Sequence, residues 1–153
     1  IYNIFVDVLF LNNCVMQNIE KIFYKDQLLA IIIKSSYRNE GISFFTPNDF
    51  SQQLGYMNRP KGYLIEPHRH NIVERKVFLT QEVLFIKSGK VQVDFYDEKE
   101  NFVESNILEK NDIILLASGG HGFKMLENSE IIEVKQGPYC GEEDKVRFRS
   151  HNK

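Results

Sequence analysis

From Gly62 onward the chain alternates between short runs of apolar and polar residues and polar or glycine-bearing breaks. The clearest run is 90–97, where Val91, Val93 and Phe95 alternate with Gln92, Asp94 and Tyr96. Side chains on a strand point to opposite faces in turn, so this pattern predicts a strand with one buried face. Further strands are expected over 62–68, 77–87, 102–109, 112–117, 121–126 and 130–136. The breaks between them include Ser88-Gly89-Lys90, Lys110-Asn111-Asp112, Ser118-Gly119-Gly120 and Glu127-Asn128-Ser129. Short strands recurring about every ten residues predict an all-β domain, an antiparallel sandwich or barrel.

Upstream of Gly62 the texture is different. Residues 16–26 have weak helical or strand character, and Leu28 to Ile33 predicts a buried strand. Thr46-Pro47-Asn48-Asp49 carries start signals for a helix: a hydroxyl at the N-cap, proline at the first helical position and an acid in the first turn. Gly55 supplies the stop, so a short helix is expected over 47–54. The organisation that follows is an N-terminal strand and short helix over 16–60, packed on a barrel over 61–141, with a charged tail over 142–153. Met16 reads as a natural start, and residues 1–15 are expected to be a non-native or extension segment.

Composition narrows the class. The 153 residues are 42% hydrophobic and 26% charged, which suits a globular domain able to bury a core. The formal net charge is −2 and the basic residues are scattered. Nucleic acid and anionic membranes both call for clustered positive charge, so neither is an expected partner. The longest apolar run, Leu28 to Ile33, is six residues, too short for a transmembrane helix. Residues 1–15 contain Asp7 and no basic start, and do not read as a signal peptide. Cys14 and Cys140 stand far apart in no paired motif, which suits free thiols in a reducing cytoplasm.

The candidate chemistry lies in the histidines. His68 and His70 are two residues apart, and on a strand they would share a face. His121 sits in Gly119-Gly120-His121-Gly122-Phe123. Between them, Glu82 is in phase with Leu84 and Ile86, where a carboxylate is costly to bury unless it is paired or bound to a cation. The opposite phase, with Val83 and Phe85 inside, would leave it in solvent. Imidazole is the commonest side-chain metal ligand.

The spacing extends the pattern. Five residues separate Gly62 from His68, and six separate Glu82 from Gly89. This resembles the first signature of the cupin superfamily. Asn111-Asp112-Ile113-Ile114-Leu115-Leu116-Ala117-Ser118-Gly119-Gly120-His121 looks like the second. The resemblance spans about residues 60–136 and implies a jelly roll, also called a double-stranded β-helix barrel. It implies a metal held by His68, His70, Glu82 and His121. Eleven residues lie between His70 and Glu82, where the family usually has only a few, and Glu74 sits at the usual spacing. The residue seven after Glu74 is Gln81 rather than glycine, which favours Glu82 and leaves Glu74 as the rival. Asn111 stands in place of the second signature's first glycine, and Ala117 in place of its usual proline.

Three imidazoles and one carboxylate suit Fe, Mn, Ni, Co or Zn, with open positions for water and substrate. Segments 45–57 and 133–139 also resemble little-characterised single-domain bacterial cupins, some encoded near glycan-biosynthesis genes. The family association implies a metal-dependent enzyme acting on a small polar substrate such as a sugar or sugar-nucleotide derivative. An isomerase or epimerase and an oxygenase are both open, and the alternative is a non-catalytic ligand-binding or sensing module. Gln52, Gln53, Arg59, Tyr63, Lys135, Gln136 and Tyr139 are candidates for touching the ligand. A homodimer is expected, with the apolar segment 27–34 supplying an intermolecular strand or covering a sheet edge.

Overall fold

Strand-forming sequence collects into two sheets in one part of the chain and a small strand pair in another. The computed structural model describes residues 18–149. Among these the strands are β1 (Ile19–Tyr24), β2 (Gln27–Ile33), β3 (Gly41–Phe44), β4 (Gly55–Asn58), β5 (Glu82–Ser88), β6 (Lys90–Tyr96), β7 (Phe102–Glu109), β8 (Ile113–Leu116), β9 (Gly120–Met125) and β10 (Glu130–Lys135). A 3₁₀ turn, Gly141–Asp144, follows. No helix among the described residues is long and apolar enough to cross a membrane. The chain divides into two compact units. One takes its described residues from 18–37 and 79–149; the other is 38–78.

The larger unit holds a five-stranded sheet in the order β1-β2-β8-β5-β10 and a three-stranded sheet in the order β7-β6-β9. All pairings are antiparallel. Their inner faces share one core, in which Ala30, Ile32, Ile114, Leu84 and Ile86 of the first sheet meet Val91, Val93, Phe95 and Leu108 of the second. Register carries one row straight across the first sheet: Ile22, Ala30, Leu116, Glu82 and Lys135. The first three are buried apolar residues. The last two are charged, so the row turns from core to chemistry between β8 and β5.

The middle of this sheet is buried on both faces. Ile31, Ile33 and Leu115 are buried on the outer side, as Ala30, Ile32, Ile114 and Leu116 are on the inner side. That explains why Leu28 to Ile33 is uniformly apolar rather than alternating. β10 behaves differently. A bulge between Glu130 and Ile131 sets its phase, so that Glu133 and Lys135 share the inner face with Leu84 and Glu82. Ile132 and Val134 point the other way and are exposed.

The turns obey the φ they need. Gly89 joins β5 to β6 at φ +84°, and a Cβ there would collide with the Asn128 carbonyl and Ser129. Asn111 takes φ +69° before β8. Asparagine visits the left-handed region more readily than most residues, which is why it can stand where a glycine is expected. Asp112 then accepts hydrogen bonds from the Ser35 amide at 2.7 Å and the Glu109 amide at 3.0 Å, tying this corner together.

Several expectations need correction. The fold is all-β, but the sheets form a sandwich, and no closed barrel is seen among the described residues. No helix forms over 47–54. The Thr46 hydroxyl accepts the Leu54 amide at 3.2 Å instead of capping the next turn, and Gln53 Nε2 donates to the Pro47 and Phe50 carbonyls. These bonds close a loop, the alternative that short polar side chains offer to a helix. That loop joins β3 to β4, the antiparallel pair of the smaller unit. β2 pairs with β8 and is covered at its other edge by β1, so segment 27–34 is an interior strand rather than an intermolecular one. Residues 1–17 and 150–153 lie outside the described residues, with Cys14 and His151 among them.

Candidate functional site

The inward phase of β5 puts Glu82 at the end of the apolar row Ile86, Leu84. On the second sheet, register sets His121 of β9 beside the buried Phe95 of β6. Both side chains therefore face the space between the sheets, and they meet there: His121 Nε2 lies 3.2 Å from Glu82 Oε2. The Glu82 side chain is 17% exposed and that of His121 30%, so the pair is shielded but reachable. The imidazole N–H donates to the carboxylate, and this hydrogen bond holds the Glu82 pKa below the ordinary carboxylate value. Burial pushes the other way, while the charges of His121, Lys135 and Lys145 add to the lowering. An ionised, partly buried carboxylate beside an imidazole is a donor set that a divalent cation can use.

Glycine shapes the surroundings of His121. A Cβ on Gly120 would stand 2.8 Å from the Phe148 ring. Phe148 packs edge-on against Tyr96, with ring centroids 5.2 Å apart. The chain after β10 thus returns to the strand that carries His121. On the other side of His121, Phe123 packs at 5.4 Å between centroids.

Lys135 stands beside Glu82 as its cross-strand partner. Its ammonium lies 3.5 Å from Asp144 Oδ2 and 3.9 Å from Glu133 Oε1. Desolvation works against the charge on Lys135, but the contacts with Asp144 and the charges of Glu133 and Glu82 outweigh it and raise the pKa. Asp144 comes from the 3₁₀ turn, is 14% exposed, and accepts from the Thr80 hydroxyl at 3.1 Å. Sequence reasoning missed Asp144 and Thr80. Asp144 ends the acidic run Glu142-Glu143-Asp144, and nothing in the sequence separates it from a solvated tail.

The other candidates divide. Gln136 accepts the Gln81 amide at 2.8 Å and so closes the β5–β10 edge. Tyr139 is exposed and lies under Lys135, its ring centroid 5.6 Å from Nζ. Gln53 holds the 46–54 loop, and Gln52 is half-buried in the same loop. Arg59 stacks over the Tyr63 ring at 4.5 Å in the smaller unit.

His68 and His70 are also in the smaller unit, in a stretch without strand structure. The strand expected over 62–68 does not form. Pro60 and Pro67 each lack an amide hydrogen for a ladder, and no apolar alternation compensates. His68 Nδ1 lies 2.9 Å from the Glu66 carbonyl, and the two imidazoles meet edge-on at 5.5 Å between centroids. Glu74 is exposed in this same unit. The structure therefore assembles the four expected ligands as two pairs, Glu82 with His121 and His68 with His70. Among the described residues, no group of three or more His, Cys, Asp or Glu side chains is placed to hold a metal ion.

A cleft of about 430 Å³ elsewhere in the larger unit is lined by Lys34, Lys90, Glu109 and Asp112, among others. Its charges pair with one another, Lys90 with Glu109 at 2.7 Å and Lys34 with Asp112 at 3.5 Å. Comparison with protein-family models, with curated proteins and with solved structures returns no match.

Proposed function

We propose that the chain is a metal-binding protein of the cupin type. In this reading Glu82, His121, His68 and His70 hold one divalent transition ion, and the loaded site acts on a small polar substrate such as a sugar or sugar-nucleotide derivative. The observation that carries the reading is the Glu82–His121 contact at 3.2 Å, placed between two sheets at the end of a buried apolar row. The contribution of His68 and His70 rests on the sequence pattern Gly62, His68, His70.

A bound divalent ion supplies Lewis-acid polarisation of a substrate carbonyl or hydroxyl. The chain supplies the rest. His121 orients the Glu82 carboxylate and keeps it ionised. Lys135 sets a positive charge beside that carboxylate, and Asp144 with Thr80 fixes where the ammonium lies. The inner-face residues Leu84 and Phe95 keep the approach from the core side dry.

A second reading is a non-catalytic ligand-binding module without metal. It is favoured by the direct hydrogen bond between Glu82 and His121, which gives the carboxylate a donor from within the chain.

One measurement decides between them. Tag-free protein is incubated with Mn, Fe, Co, Ni or Zn, freed of excess ion and analysed for metal. The metal reading expects about one ion per chain, lost in His121→Ala, Glu82→Gln and His68→Ala, and released as protons displace the metal at low pH. Retention of no stoichiometric ion by the wild type would overturn it.

A further inference from the structure

The longest exposed stretch among the described residues has the wrong composition for one. Every residue from 57 to 80 is exposed, and 63–78 forms neither strand nor helix. Yet Tyr63, Leu64, Ile65, Ile72, Val73 and Phe78 lie in it, each more than half exposed. Segments that stay in water are poor in such side chains, because no burial offsets the cost of hydrating them. A monomer rarely leaves so many large apolar groups together in solvent.

β10 carries a surface that fits it. Among the described residues this strand ends the five-stranded sheet, so the backbone groups of one edge have no ladder partner. On the outer face, Ile132 and Val134 lie opposite Phe85 and Val83 of β5 and form an apolar strip. Ile132 is 52% exposed and Val134 60%. A single chain thus leaves both the segment and the strip open.

Charge identifies what covers them. Within 59–78, Arg59, Lys61, Arg69, Arg75 and Lys76 stand against Glu66 and Glu74, an excess of positive charge. Among the described residues none of these five cations forms an ion pair. The stretch 127–144, which contains β10, is the reverse: Glu127, Glu130, Glu133, Glu142, Glu143 and Asp144 stand against Lys135. A basic apolar segment and an acidic apolar strand edge are complementary partners. Every copy of the chain carries both, so two copies can exchange them reciprocally and close about a two-fold axis. We propose that the chain is a homodimer in which the 63–78 segment of each copy lies along β10 of the other, its apolar side chains on the Val83, Phe85, Ile132 and Val134 strip. This inference is independent of the metal reading.

The test is the mass in solution of the tag-free full chain at micromolar concentration, measured by sedimentation. The wild type is a dimer, and its dissociation constant rises with added salt as the charges are screened. Ile72→Ser with Phe78→Ser in the segment, or Ile132→Lys with Val134→Lys on β10, raises that constant about tenfold or more. All four side chains are more than half exposed, so each variant still folds, as circular dichroism reads directly. An equimolar mixture of the two variants associates more tightly than either alone, because a mixed pair keeps one intact contact between segment and strand. A monomeric wild type overturns the inference; if that monomer binds anionic phospholipid vesicles, the segment docks on a membrane surface instead. A dimer whose affinity neither variant changes overturns the pairing of these two surfaces. A mixture no more associated than its components overturns the reciprocal exchange.

Discussion

Glu82–His121 and His68–His70 are built in opposite ways. The first pair joins residues far apart in sequence, each fixed by strand register on a different sheet and backed by buried Leu84 or Phe95. The second joins near neighbours in a stretch without strand structure, where His68 Nδ1 contacts the nearby Glu66 carbonyl. A pair held by two sheets has its geometry set by the whole core. A pair held by sequence proximity has its geometry set by a few backbone angles. Precision in a site therefore follows from how many packed residues stand behind it.

The largest test of this contrast is Phe95→Ala. It removes a buried ring from the core and the cross-strand neighbour of His121, and should cost about 3–5 kcal/mol in denaturant unfolding. A loss below about 1 kcal/mol would show that the sheet does not support the pair as described. Next comes Glu82→Gln, which removes the charge from the interaction with His121 and should cost about 1–3 kcal/mol near neutral pH. The folded-state pKa of Glu82 is lowered, so its contribution is present above the unfolded carboxylate value and is lost as pH falls through the folded one. The gap in stability between wild type and Glu82→Gln should thus close on the acid side; a gap that widens there would contradict the bond. Gly89→Ala strains a positive φ and meets the Asn128 carbonyl, and should cost more than about 1 kcal/mol. Smallest is His68→Ala: unfolding free energy should change by no more than about 0.5 kcal/mol. A large destabilisation would mean that this pair has structural support beyond its local contacts.

The sheets were the most legible part of the chain. β6 falls almost where alternation places it, because Val91, Val93 and Phe95 face a core and period two is visible, and β7 covers the expected 102–109. The phase of Glu82 was readable for the same reason: Leu84 and Ile86 are buried and share its face. What failed was local chemistry overruled by distant partners. Thr46-Pro47 carries good helix-start signals, yet the Thr46 hydroxyl finds the Leu54 amide and Gln53 ties off the loop. β3 and β4 are four residues each and contain Gly41, Ser43, Gly55 and Asn58, too weak a pattern to announce a strand. Asp144 gives no sign of itself, because its role depends on where the 3₁₀ turn lands relative to Lys135 and Thr80.

The bulge between Glu130 and Ile131 decides which half of β10 looks inward. It makes the chemistry of the site a question of odd or even. With the β5 pairing kept, an insertion of one residue between Leu126 and Ile131 exchanges Lys135 for Val134 at the sandwich mouth, and a deletion of one exchanges it for Gln136. A change of two residues restores the inward phase. Length variation in that turn is therefore filtered by parity, and a site of this kind can be switched off in descent without the loss of any of its own residues.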